Sequence, residues 1–459
     1  MKGWLLLLLG VAFADAVEPL RLPEVLASAQ GRYPPLLIAL IEQDVASGRL
    51  RQTEGAFDLG FALRAGVVPR GYYDGSTGDV SLEQRMPFWG ANLFAGYRRS
   101  SGSLADYDKD RTQRDGEFRA GLRFNLLRDG FIDRPRAELL KARLDLGLVD
   151  PFVERQRLDI TRAATRAYYA WAVAGFRVQV AREQLRVAEE RAAGLTEQAR
   201  KGMLAPIVVT DNERLIVSRQ LMVTQSRRRW EAAALELSLF LRGPDDQPIV
   251  PPNDRLPAEL PTTEAPAGLG DPLVLELAVE RRPELRRIRL VRDKVEVDRK
   301  LADNATLPNL DLTVGITRSQ GDGPYPDIRR EETRAGLEMR IPLQRNEALG
   351  RRQAAEAELR RLDQDLLFVR DRIRVEVKDG WSALLAAREQ LVLARRNVEL
   401  SDTLVAAEQT RFRQGAGDLL ALQLREQAVL EARFAELTSF ADFFLALADY
   451  RAATAEDLR

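Results

Sequence analysis

Two stretches, FRAGLRFNLL at residues 118–127 and TRAGLEMRIPL at residues 333–343, decide how this chain folds. In the first, Phe118, Ala120, Leu122, Phe124 and Leu126 alternate with Arg119, Arg123 and Asn125. In the second, Ala335, Leu337, Met339 and Ile341 alternate with Arg334, Glu338 and Arg340. Strict alternation builds a strand with one apolar and one polar face. Each stretch follows a polar loop and runs straight into a long helical pattern. The shared RAGL tetrapeptide means little by itself; the repeated strand-to-helix junction means more.

Working outward, Leu310, Leu312, Val314 and Ile316 alternate with Asp311, Thr313, Gly315 and Thr317. In the first half, Phe57, Leu59, Phe61 and Leu63 alternate with Asp58, Gly60 and Arg64. Each run has about ten residues, enough for a tilted strand to cross a bilayer. A soluble, half-buried strand alternates in the same way, so periodicity leaves both settings open. The polar loops RGYYDGSTGD, RSSGSLADYDKDRTQRDGE and GDGPYPDIRREE lie at one end of the runs and helices at the other. That arrangement suits a barrel whose loops face outward. An extra pair, Val80–Met86 and Ala91–Tyr97 joined by PFWG, occurs only in the first half. It reads either as two more wall strands, with Phe88 and Trp89 in an interface girdle, or as a soluble hairpin insertion.

Helical periodicity rich in Ala, Leu, Arg and Glu covers 20–54, 132–201, 206–242, 272–305, 344–413 and 418–455. A helix of about 70 residues would be on the order of 100 Å long, beyond what a globular core needs. Within 344–413 a heptad runs through Leu359, Leu362, Leu366, Val369 and Ile373. It resumes at Leu384, Ala387, Leu391, Ala394, Val398, Ser401 and Val405. The eleven-residue step from Ile373 to Leu384 has the form of a coiled-coil stutter.

The pattern is duplicated. GRYPPLLIAL at Gly31 corresponds to ERRPELRRIRL at Glu280, and EQARKGMLAPIVVTDNERL corresponds to EQTRFRQGAGDLLALQLRE. Between the halves, eight Pro fall in the thirty residues 243–272. The expected organisation is a first repeat over 17–242, a Pro-rich linker over 243–271 and a second repeat over 272–459. The N-terminus, MKGWLLLLLGVAFADAVEPL, has a basic Lys2, a short apolar core and an A-x-A site, and reads as a signal peptide over 1–16. With no Cys after that site, lipid anchoring there is not expected. No later segment has eighteen consecutive apolar residues.

The 459 residues carry no net charge, which argues against a nucleic-acid binder working by phosphate neutralisation. There are 62 Arg and only seven Lys, a bias better assigned to nucleotide composition than to function. The chain has no Cys and no His, so thiol nucleophiles, imidazole bases, Cys/His metal sites and disulfides drop out together. Asp106, Asp108, Asp110 and Glu117 stand at calcium-loop spacing, but Arg111 takes the required Gly position, and a solvated loop is the better reading. No set of carboxylates converges as a hydrolase needs. Neither an enzyme, a cofactor nor a metal site is expected.

Four strands, or six with the extra pair, fall short of the roughly eight that close a barrel. An open edge in lipid would leave unpaired backbone groups at several kcal/mol each. If the strands sit in a membrane, the chain must therefore oligomerise, with apolar faces to lipid and polar faces to a lumen.

The signal peptide, the duplicated order of strands, long helices and Gly turn, and the RxP segments together resemble the TolC-like outer-membrane efflux proteins. The resemblance covers nearly all of the mature chain; no single motif is specific, but their order and spacing are. It implies a mixed α/β membrane protein: a trimeric transmembrane β-barrel continued by a long α-helical coiled-coil periplasmic tunnel. It further implies the exit duct of a tripartite efflux pump or type I secretion system. The partners would be outer-membrane lipid, a periplasmic adaptor and an inner-membrane transporter, RND, ABC or other, in a Gram-negative bacterium. On the residues, Gly202 with Pro206 and Gly415 with Gly417 match the hairpin tips where an adaptor docks. The family's constriction aspartates are replaced by Ala421 and Leu424; Asp418 is the nearest carboxylate, for which an N-cap of the next helix is the stronger reading. Arg119, Arg123, Arg334, Glu338 and Asp311 would face the lumen, and Gly121 and Gly336 would let each last strand pack closely as it bends into its helix. The alternative is a secreted or periplasmic coiled-coil structural or adhesin-like protein with a small sheet.

Overall fold

A computed structural model describes residues 18–105, 110–261, 272–323, 325, 328 and 330–456. The expected signal peptide and the loop carboxylates Asp106 and Asp108 lie outside the described residues. Nine helices and six strands are described: α1 (Leu22–Arg32), α2 (Pro34–Glu54), β1 (Gly60–Val68), β2 (Gly75–Arg85), β3 (Asn92–Gly102), β4 (Glu117–Asn125), α3 (Arg134–Gly147), α4 (Val149–Arg200), α5 (Pro206–Ser238), α6 (Pro272–Arg281), α7 (Pro283–Ala305), β5 (Asn309–Ser319), β6 (Glu331–Arg340), α8 (Asn346–Arg413) and α9 (Leu419–Thr454). Among the described residues no helix is long and apolar enough to cross a membrane.

Proline sets several helix starts. Pro34, Pro206 and Pro283 each open a helix, where the missing N–H costs nothing. The expected single helices over 20–54 and 272–305 are thus each two, broken before Pro34 and Pro283. The break at Leu148 between α3 and α4 has no proline to announce it.

Contacts divide the chain into two units: 1–38, 154–282 and 371–459 in one, 39–153 and 283–370 in the other. The first is helical. Its core holds Trp171, Phe440 and Phe443 with almost no exposure, and Tyr169 stacks on Phe444 with ring centroids 4.3 Å apart. Burial pushes the Tyr168 phenol up to about 12; its hydroxyl donates to the Leu20 carbonyl at 3.0 Å. On α8, Leu384, Ala387, Leu391 and Ser401 are buried, as the heptad requires. The eleven-residue step is filled by Val377 and Gly380, both buried. A Cβ on Gly380 would stand 3.4 Å from the Tyr450 backbone, so α8 and α9 approach closely there. The described part of the Pro-rich segment lies on this unit as a strap. The Leu20 amide donates to Arg255 O at 2.8 Å, Arg255 bonds Glu24 at 2.7 Å, and Leu256 fills the space over Gly175.

The second unit carries the sheet, six strands in the order β1-β2-β3-β4-β5-β6, every neighbouring pair antiparallel. The extra pair of the first half is therefore β2 and β3, inserted between β1 and β4. The first strand differs from expectation: Gly55–Phe57 winds into a 3-10 turn, and β1 starts at Gly60 and runs to Val68. Phe57 and Leu59 alternate like strand residues but precede it. The junction after β4 is clamped from one side chain. Asp133 caps α3 by accepting from Arg136 N at 2.9 Å, and the Arg136 guanidinium donates to the carbonyls of Asp129, Gly130 and Phe131.

Candidate functional site

The strand register assigns every side chain to a face. Arg119, Arg123, Asp311, Arg334 and Glu338 share one face, together with Asp79, Arg98 and Glu117. The opposite face carries Phe61, Leu63, Val80, Leu82, Leu93, Ala95, Phe118, Leu122, Val314, Ile316 and Leu337. Within β2 and β3 the polar face is the more buried: Asp79, Ser81 and Ser100 are buried, while Phe61, Leu63, Phe118, Ile316 and Leu337 of the apolar face are exposed; on β6 both faces are exposed. A soluble sheet packed on a core shows the reverse.

Ion pairs knit the polar face. Asp79 of β2 bonds Arg98 of β3 at 3.4 Å and also reaches across β3 to Arg119 of β4. Arg98 bonds Asp110 in the following loop at 2.8 Å; Glu117, the last carboxylate of the calcium-like spacing, stands in β4 opposite Arg98. Along β6, Arg334 pairs with Glu332 at 2.6 Å and Arg340 with Glu338 at 2.7 Å. Asp311 accepts from Asn309 Nδ2 at 3.0 Å. Phe94 is the aromatic exception on this face. Its ring lies over Gly121, where any Cβ would overlap it. That contact, and not a bend into the helix, is why position 121 is Gly; Gly336 has open space around it.

At the helical end of the sheet, Phe88, Trp89 and Phe131 are exposed, and Tyr72 is exposed in the loop at the other end. The PFWG turn has Trp89 and Gly90 both left-handed, at φ 53° and 55°, with Ala91 N donating to Phe88 O at 3.2 Å. This is a two-residue turn of the hairpin-favouring kind. Gly90 is required, since a Cβ there would strike the Asp129 carbonyl.

The two helix reversals are built alike. Gly202 has φ 73° and Gly415 φ 72°. At the first, Gly202 N donates to Ala199 O at 3.0 Å and Met203 N to Gln198 O at 3.0 Å. At the second, Gly415 N donates to Phe412 O at 3.1 Å and Ala416 N to Arg411 O at 3.0 Å. Each is a Schellman cap with Gly at the left-handed position. Pro206 then opens α5 and Asp418 precedes α9. Gly417 has a different role from the other two glycines: its φ is not left-handed, and a Cβ would crowd Phe412 N and Glu408. The expected cap by Asp418 is not made. Its carbonyl accepts from Leu422 N at 3.1 Å, but its carboxylate accepts from no helix amide. Met203, Ile207, Leu420 and Leu424 are exposed around these turns.

One constellation has no signal in the sequence. Arg191 of α4 places one nitrogen 2.6 and 2.7 Å from the two oxygens of Glu426 on α9. The side chains are only 12% and 6% exposed. Arg219 of α5 is buried nearby, feels Glu426 as its main opposite charge, and makes no hydrogen bond to a described residue. Burial holds its pKa below the ordinary guanidinium value.

Residues 274–452, spanning α6 to α9, match the family model for outer membrane efflux proteins. This half is an outer membrane efflux protein domain. The fold extends over the whole chain. The open-state MtrE outer membrane channel of Neisseria gonorrhoeae superposes with TM-score 0.69 at 16% identity, covering 95% of this chain and 88% of that one. VceC, an outer membrane protein of Vibrio cholerae, gives 0.67 at 15% identity over 94% and 95%. The CmeC outer membrane channel of Campylobacter jejuni gives 0.65 at 14% identity over 95% and 88%. No curated protein sequence matches the chain. The efflux-protein domain thus supplies β5, β6 and the α8–α9 hairpin, and the first half has the same order of elements with β2 and β3 added and the long helix broken at Leu148.

Proposed function

We propose that the chain is the outer-membrane exit duct of a tripartite efflux pump or a type I secretion system. In this reading it is a homotrimer, passive, and driven by an inner-membrane transporter through a periplasmic adaptor. The observation that carries it is the inverted sheet: charged residues paired on the face that is the more buried in β2 and β3, large apolar residues exposed on the other, and aromatics at both ends. A sheet of that kind is stable with lipid on its apolar side and water on its polar side. The polar face, with Arg119, Arg123, Asp311, Arg334 and Glu338, lines the lumen. The Schellman tips at Gly202 and Gly415, with Pro206 and Gly417, form the adaptor contact, and the free carboxylate of Asp418 makes the constriction ring when three copies meet. Export in a Gram-negative bacterium removes the signal peptide and leaves the chain without an N-terminal lipid.

The test is extraction of outer membranes in detergent. Heat-resistant trimers and step conductance in planar bilayers are expected. A chain recovered as a soluble periplasmic monomer overturns the reading and favours a coiled-coil structural protein.

A further inference from the structure

The β2–β3 hairpin has no counterpart in the second half, where α7 leads to β5, β6 and then α8. It is nonetheless part of the sheet in every respect. It pairs along its length with β1 on one side and β4 on the other. Its polar side joins the ion-pair network through Asp79, Arg98 and Arg119, and its Phe94 seats on Gly121 of β4. Val80, Leu82, Leu93 and Ala95 continue the apolar face without a gap.

What remain open are the outer edges of β1 and β6. β1 has 9 residues and β6 has 10, and nearly every residue of both is exposed. Five antiparallel steps separate them, so they run in opposite directions. The β1 strand of a second copy can therefore extend β6 in the same antiparallel pattern. Keeping the polar faces together restricts the register to pairings of Gly60, Ala62, Arg64 or Gly66 with Glu332, Arg334, Gly336, Glu338 or Arg340. In β1 the charge is the single cation Arg64, and β6 offers two carboxylates on that face.

We propose that the β2–β3 hairpin is a pore-widening insert that raises each copy's share of the wall from four strands to six, the β6 edge of one copy meeting the β1 edge of the next as the duct proposed above requires. The count rests on the trimeric duct proposed above, and becomes eighteen strands in place of twelve. With strands about 4.8 Å apart and tilted about 40°, the backbone diameter is about 36 Å for eighteen strands, against about 24 Å for twelve. The lumen cross-section rises at least about twofold on the same geometry.

Three measurements on the full chain or a defined deletion decide this. Removing residues 75–102 leaves β1, β4, β5 and β6 still alternating in direction. The deleted form is expected to make trimers whose barrel, viewed end-on by electron microscopy, narrows from about 36 Å to about 24 Å across the backbone. Intact trimers with an unchanged barrel diameter overturn the proposal. Because the deleted form can fail to assemble, cysteine pairs in the full chain, which has no native Cys, give a second reading. A95C with A120C, directly opposite in β3 and β4, is expected to form an intrachain disulfide in the membrane-extracted protein. A65C paired in turn with T333C, A335C and L337C samples neighbouring allowed registers, and one pair is expected to give covalent oligomers with a short thiol cross-linker. Failure of the first link removes the hairpin from the wall; failure of all three seam pairs removes the seam. A native mass other than three copies overturns the trimeric duct and the count of eighteen, while the A65C pairs still decide the seam.

Discussion

Glu426→Gln tests how the helical unit holds its buried charge. In the parent, Glu426 faces Arg191 across bonds of 2.6 and 2.7 Å and is the main opposite charge felt by Arg219. The amide keeps the shape and removes the charge, leaving two buried guanidinium groups without a counter-ion in contact. Removing one partner of a buried pair costs about 3–5 kcal/mol. At about 2–4 °C per kcal/mol for a unit of this size, melting of the helical signal is expected to fall by roughly 10 °C. Arg219→Met goes the other way. It removes the cation that makes no hydrogen bond, so it is expected to be neutral or stabilising in the parent and to recover part of the loss in Glu426→Gln. The assay is circular dichroism at 222 nm during heating of the detergent-solubilised protein. A Glu426→Gln protein that melts within about 2 °C of the parent, or an Arg219→Met change that deepens the loss, would refute the reasoning.

Gly202→Ala and Gly415→Ala place a side chain in the left-handed region with open space around it, so each costs about 1–2 kcal/mol of backbone strain and no packing; faster amide exchange confined to 198–206 or 411–419 is the check. Asp79→Asn removes the carboxylate that Arg98 and Arg119 share on the polar face, and reversal potentials under a salt gradient are expected to shift toward anion selectivity. Tyr168 has a folded-state pKa of about 12, above its ordinary value of 10.0. Its contribution to stability is therefore complete below pH 10 and is lost as pH rises through 12. Urea titrations at pH 9 and 11.5 should show it, with Tyr168→Phe less sensitive to pH. Trp89, if it sits at the lipid interface, is expected to have its fluorescence quenched by brominated lipid.

Much of this structure is readable from residue patterns, for physical reasons that differ by element. The expected helix ends at 201, 206, 413 and 418 fall within one residue of the observed Arg200, Pro206, Arg413 and Leu419, because Gly and Pro punctuate the chain there. The face of each β4, β5 and β6 residue follows from period-two alternation alone. The start of β1 does not, because Phe57 and Leu59 alternate whether the backbone is extended or wound into a turn. The Asp79–Arg119 bond reaches across a whole strand, β3, and only the sheet order reveals it. Asp418 sits at the right position to cap α9, yet capping depends on a side-chain rotamer that no sequence rule specifies. Arg191, Arg219 and Glu426 come from three helices, and in a chain with 69 basic and 69 acidic residues no spacing singles them out.

The Arg136 clamp makes the two strand-to-helix junctions mechanically unequal. Between β4 and α3 three backbone carbonyls are tied to one guanidinium. Between β6 and α8 the corresponding stretch contains Leu343, 95% exposed, and among the described residues no side chain bonds the carbonyls of 341–345. Torque passed along the helices therefore meets a stiff coupling at one junction and a compliant one at the other. Residues 341–345 are the softer of the two strand-to-helix hinges, and α8 can bend relative to β6 more readily than α3 relative to β4.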